Sequence, residues 1–157
     1  MIEFRRVFEV LDGVDYVLIG GAAAVAHGSA RFTQDVDLVY RRTSANIERL
    51  VSALRPFDPY LRGAPPGLPF VFDAQTVRNG LNFTLTTSIG DLDLLGEVPG
   101  MNSYEELAGD AEPVTLFGIV VSCVSLARLI ALKRAAGRPK DFEAIAELEA
   151  LLVEPGG

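Results

Sequence analysis

The run Asp15-Tyr-Val-Leu-Ile-Gly20-Gly21-Ala22-Ala-Ala-Val-Ala26, followed closely by Asp35-Val36-Asp37-Leu38, decides how this chain folds. Asp15 to Ile19 is a short apolar run of the kind that forms a buried strand. Gly20 and Gly21 end it where backbone N–H groups can approach a phosphate without a Cβ in the way, and Ala22 to Ala26 then opens a helix. In the next strand side chains alternate in direction, so Asp35 and Asp37 share one face while Val36 and Leu38 share the other. Two carboxylates on one face repel each other and resist desolvation unless a cation sits between them. Magnesium suits them best, as a hard cation that takes oxygen ligands and substrate phosphates. The bland readings are a solvent-facing edge strand for the aspartates and a tight packing turn for the glycines.

Two-metal phosphoryl transfer calls for a third carboxylate. Gly90-Asp91-Leu92-Asp93-Leu94-Leu95 offers Asp91 and Asp93, both on one strand face. Arg31 and Thr33 lead into the first carboxylate strand, and two roles fit them: bracing the loop, or, for Arg31, neutralising a phosphate. Lys133 falls on the same helical stripe as Leu126, Leu129 and Ile130, so its ammonium must snorkel or meet a negative partner. That partner is either a triphosphate or Asp141, at the start of the next helix. His27 reads as structural or exposed, Cys123 as a small buried hydrophobe, and Glu143, Glu147 and Glu149 as a solvated helix face.

Tyr16 to Leu38 is similar to the signature of the polymerase-beta-type nucleotidyltransferase superfamily, and the Arg31-x-Thr33-x-Asp35-x-Asp37 run most resembles small bacterial proteins related to AbiEii-type toxins of type IV toxin–antitoxin systems. Leu129 to Asp141 resembles the helix-turn-helix that closes the catalytic domain in those proteins. Ala22 departs from the pattern, since many relatives carry a serine there, and a single domain without a large C-terminal substrate domain is the expectation. The resemblance implies a mixed β-sheet nucleotidyltransferase fold, with a nucleoside monophosphate passing from an NTP to a hydroxyl acceptor. It further implies two magnesium ions held by Asp35, Asp37 and Asp93, with Asp93 favoured over Asp91 as the third carboxylate. Gly20 and Gly21 would face the phosphates, with Arg31, Thr33 and Lys133 on the nucleotide side. The acceptors it brings to mind are RNA, including a tRNA 3′ end, a protein, or a small hydroxylated molecule, with a cognate toxin or antitoxin protein as a further partner. The competing reading is a non-catalytic nucleotide-binding or protein-interaction module that has kept the fold.

Composition narrows the field. With 157 residues and 49% hydrophobic content, residues 1–157 are expected to form a single domain, burying roughly 68–70% of the unfolded surface. The longest apolar stretch is too short for a membrane span, and the N-terminus lacks a signal-peptide pattern, so a cytoplasmic location is the expectation. One cysteine and one histidine leave little for disulfides, thiolate zinc sites or histidine-based nucleophilic catalysis. A net charge of −7 argues against broad phosphate-driven binding of nucleic acid.

Elsewhere, the spacing predicts an amphipathic helix over Ile2 to Leu11 and another to Leu54 with Ser44 as its N-cap. Pro59 to Phe72 reads as an irregular loop. Alternation predicts a strand over Leu81 to Thr87, with Leu81, Phe83 and Leu85 inward, turning at Gly90 into Asp91 to Leu95. A strand pair around Gly118 and helices over Val124 to Ala136 and Pro139 to Leu152 complete the chain. This order predicts an α/β or α+β domain, a mixed sheet with helices packed on it.

Overall fold

Alternation of acidic and apolar residues over 35–38 and 91–94 builds the middle of the molecule. In the computed structural model, which describes residues 2–31 and 33–153, these two strands lie side by side in parallel. Their apolar residues Val36, Leu38, Leu92 and Leu94 are buried, each contributing about 1.5–3 kcal/mol by leaving water.

The sheet has seven strands in the order β3-β4-β5-β2-β1-β7-β6. These are β1 (Tyr16–Ile19), β2 (Asp35–Tyr40), β3 (Tyr60–Leu61), β4 (Asn82–Thr87), β5 (Gly90–Leu95), β6 (Ala111–Leu116) and β7 (Ile119–Val124). The pairs β2/β5 and β1/β7 are parallel and the remaining neighbours antiparallel, giving the expected mixed sheet. Its helices are α1 (Phe4–Val10), α2 (Gly20–Ala26), α3 (Ser44–Leu54), α4 (Ala74–Asn79), α5 (Tyr104–Gly109), α6 (Leu126–Ala136) and α7 (Pro139–Val153). The β6–β7 hairpin turns through Phe117 and Gly118, both at positive φ, as a two-residue turn of the primed type requires.

Several local expectations are corrected. Helix α2 begins at Gly20, so the glycine pair forms its first turn instead of preceding it. The cap of α3 is Thr43, whose hydroxyl accepts from Asn46 N at 3.3 Å, and Ser44 is the first helical residue. Leu81 lies outside β4 and is exposed, because Gly96 and Tyr40 use its carbonyl beyond the end of the strand. The Pro-rich stretch 59–72 is not wholly irregular, since Tyr60 and Leu61 pair with Thr86 and Leu85 as the edge strand β3. Helices α4 and α5 were not anticipated. Each carries a side-chain cap, Asp73 accepting from Thr76 N and Ser103 from Glu106 N.

Candidate active site

Register places the carboxylates. Asp35 pairs with Asp91 and Asp37 with Asp93 across the parallel β2/β5 ladder, so all four project from one face of the sheet. Asp35, Asp37 and Asp93 bring one oxygen each within 4.8 Å of one another. Asp91 remains at the rim of this group and faces Arg62, its Oδ2 3.4 Å from Arg62 Nε. Asp93 is therefore the carboxylate that joins the first two.

The cluster is only partly neutralised. Burial, then the charges of Asp93 and Asp35, hold the Asp37 carboxyl well above the usual carboxylate range, with Lys133 opposing. Asp37 Oδ1 and Asp93 Oδ1 are buried and accept no hydrogen bond. Orphaned, converging carboxylate oxygens are the donor set a hard divalent cation satisfies, and the residues present fit magnesium.

The glycine turn is shaped to this group. A Cβ on Gly20, which has φ +69°, would lie 2.2 Å from Asp37 Oδ2. One on Gly21 would lie 2.7 Å from Thr33 Oγ1. Both glycines are required for close approach rather than only for the turn. Thr33 donates to Asp35 O at 3.1 Å and so braces the strand start. Arg31 is committed elsewhere, its Nε and Nη2 forking onto Glu147 at 2.7 and 3.0 Å. Glu147 and Glu149 stay on the exposed helix face expected for them, where they pair with Arg31 and Arg134. Ala22 is buried against a small apolar hollow beside Phe4 and Phe117, away from the carboxylates.

Asp37 and Asp93 line a cleft of about 410 Å³ whose other walls include Gly20, Asn82, Glu97–Pro99, Leu129, Lys133 and Arg138. Lys133 is half-buried, and burial depresses its ammonium pKa, with Asp141 opposing. Of the two partners open to Lys133, Asp141 does not form the brace. Arg138, one turn away on the same acid, takes Asp141 through its backbone N, Nε and Nη2 at 3.1, 2.7 and 3.1 Å. Among the described residues Lys133 has no carboxylate at ion-pairing distance, which leaves its charge facing the cleft. A second hollow, of about 680 Å³, is lined by Asp91 together with Thr33, Thr86, Thr87, Ser88, Ile2 and Phe4.

Two features were not read from the sequence. Arg62, just past β3, reaches across β4 to the cluster, with Nη2 2.9 Å from Asp93 Oδ1 and Nη1 3.9 Å from Asp35 Oδ2. Nη2 is directed at Leu85 O, 2.8 Å away, so the Asp93 oxygen gains charge but no hydrogen bond. Arg128 on α6 forks onto Glu106 at 2.6 Å to each oxygen and donates to Gly100 O at 3.1 Å, fixing the Glu97–Gly100 strap that walls the cleft. His27 is structural, its Nε2 2.7 Å from Val124 O, and Cys123 is fully buried beside it.

No family model and no curated protein matches the chain. Solved structures do. The lincosamide antibiotic adenylyltransferase LnuA, in its lincomycin-bound crystal structure, superposes with TM-score 0.61 at 14% identity, over 96% of this chain and 98% of its own. A Thermotoga maritima protein provisionally described as a nucleotidyltransferase gives TM-score 0.60 at 13% identity, over 96% of each chain. The fold is thus that of the nucleotidyltransferases.

Proposed function

We propose that this chain is a magnesium-dependent nucleotidyltransferase that moves a nucleoside monophosphate from an NTP to the hydroxyl of a small molecule. The observation that carries the reading is the convergence of Asp35, Asp37 and Asp93, with unpartnered buried oxygens, beside a glycine turn on a cleft. Magnesium bound there would neutralise phosphate charge and acidify the attacking hydroxyl. Asp35 and Asp37 would hold the ions with the triphosphate, and Asp93 would orient the ion nearest the acceptor. Gly20 and Gly21 leave room for the phosphates against the start of α2. Lys133 supplies a cation without a protein partner, the property wanted where negative charge must arrive. Catalysis by such a site consists of positioning and electrostatic stabilisation, without a covalent enzyme intermediate.

Three observations favour a small acceptor. The chain carries a net charge of −7, which disfavours a polyanion. The hollow beside Asp91 is lined by neutral residues and one acid, with no basic residue to make a track for a polyanion. LnuA, named for acting on an antibiotic, is matched over nearly its full length.

The test is incubation with each α-labelled NTP, magnesium and a cell extract, followed by separation of label on small molecules, RNA and protein. Label on small molecules that vanishes in Asp35→Asn and Asp37→Asn is the expected result. Label on RNA or a protein would redirect the assignment to the AbiEii-type toxins and their partner proteins. Transfer surviving in both variants would sink the site. A non-catalytic nucleotide-binding module is the second reading, and Arg62 favours it by already lying against Asp35, Asp91 and Asp93.

A further inference from the structure

Arg62 is placed unlike Arg31 and Arg128, and shares with Arg41 the habit of facing more than one acid. Arg31 and Arg128 each present two nitrogens to the two oxygens of one carboxylate. Arg62 instead turns each nitrogen toward a different acid: Nη2 to Asp93 at 2.9 Å, Nε to Asp91 at 3.4 Å and Nη1 to Asp35 at 3.9 Å. Its Nε and the Asp93 oxygen are buried and both lack a hydrogen bond. Its side chain is 27% exposed and that of Asp93 23%, so water screens these charges only in part. A guanidinium arranged this way contributes charge without the directed bonds that make a forked pair strong.

We infer that Arg62 is the resident counter-cation of the acidic cluster, and that a divalent cation enters the Asp35–Asp37–Asp93 site in competition with it. The inference rests on the reading of that cluster as a cation site. One guanidinium cannot neutralise four neighbouring carboxylates, and the residual repulsion is what a hard cation relieves. The Asp93 oxygen cannot face both cations closely, because the two charges repel. Two anchors independent of the acids hold Arg62 near the site: its backbone N donates to Thr84 O at 3.0 Å and Nη2 to Leu85 O at 2.8 Å. Arg62 therefore acts as a positioning residue that keeps β2 and β5 together without metal and sets the affinity for it.

Mn²⁺ binding, read by calorimetry and by paramagnetic resonance on the full chain, tests this with Arg62→Met and Arg62→Lys. Arg62→Met should bind Mn²⁺ about tenfold tighter or more, the scale of removing a like charge at such range. It should also melt earlier in chelator and recover on saturation with Mn²⁺, with Arg62→Lys intermediate. Equal or weaker binding by folded Arg62→Met overturns the competition. Should Arg62→Met fail to fold, the wild-type protein decides: the Arg62 Nε–H resonance, identified by its loss in Arg62→Lys, should shift in step with Mg²⁺ saturation. A resonance that stays fixed while Mg²⁺ binds also overturns the competition. Absence of Mn²⁺ uptake by both wild type and Arg62→Met would overturn the cation-site reading and this inference with it.

Discussion

At Gly20 a single hydrogen atom separates function from collision. A methyl group there would stand 2.2 Å from Asp37 Oδ2, on a backbone with φ +69°. Gly20→Ala should therefore displace Asp37, abolish nucleotidyl transfer and cost roughly 1–3 kcal/mol in thermal or urea unfolding. Asp37→Asn is predicted to do the opposite to stability. Burial and its acidic neighbours force this carboxyl to take up a proton near neutral pH, and an amide that needs no proton should stabilise the metal-free protein by about 1–2 kcal/mol, or roughly 2–4 °C per kcal/mol in a melt run with chelator, while transfer is lost. Asp35 with Asp37, and Asp91 with Asp93, were legible as pairs because alternation in a strand is rigid: a residue two positions along must share the face; the preference for Asp93 over Asp91 came from the family resemblance alone. Arg62 was not, because its role depends on the pairing of a two-residue edge strand inside a segment rich in proline and glycine. Nothing in the neighbouring sequence signals that pairing.

The cleft wall depends at the level of elements on α5 and α6. Ser103 caps α5, Glu106 accepts from Asn102 N at 3.3 Å, and Arg128 ties Glu106 to Gly100. The Arg128 guanidinium holds the Glu106 carboxyl down at about 2. A carboxylate depressed in the fold adds stability above its unfolded pKa, and that stability is lost as pH falls through the folded value. Stability supplied by this pair should thus fade between pH 4.5 and 2. Glu106→Gln should flatten that part of the acid limb in unfolding measured against pH, and should loosen the Glu97–Gly100 strap. The Ser103-x-x-Glu106 spacing is a capping-box pattern that announces α5, whereas α4 has only the N-cap Asp73, a weaker signal. Both helices are only six residues long, too short for an apolar stripe to show. The choice between Asp141 and a triphosphate as partner of Lys133 stayed open for a related reason: the stripe placed both residues on the inner side, but it could not show that Arg138, nearer to Asp141 in the chain, carries a fork of donors to it.

At the scale of the whole molecule, the order of elements was enough to predict the mixed sheet, since a glycine-led helix between two strands and two later hairpins leave few ways to bury their apolar faces. The likeness to LnuA covers 96% of this chain despite 14% identity, so the fold is kept by pattern rather than by residues. The overall charge yields a separate prediction. At −7 the protein should show no measurable binding to random-sequence RNA in fluorescence anisotropy at about 0.15 M salt. Tight, salt-sensitive binding would count against a small acceptor.

Cys123 offers an experimental opening. Burial pushes its thiol up to about 12, and it has no exposed surface, so maleimides should leave the folded protein unmodified. Any cysteine introduced on the surface would then be the sole reactive handle. At Gly109, the end of α5, an added Cβ meets nothing within 4 Å. A fluorophore attached through Gly109→Cys would report on the movement of the cleft wall as ligands arrive, in a protein that needs no other thiol removed.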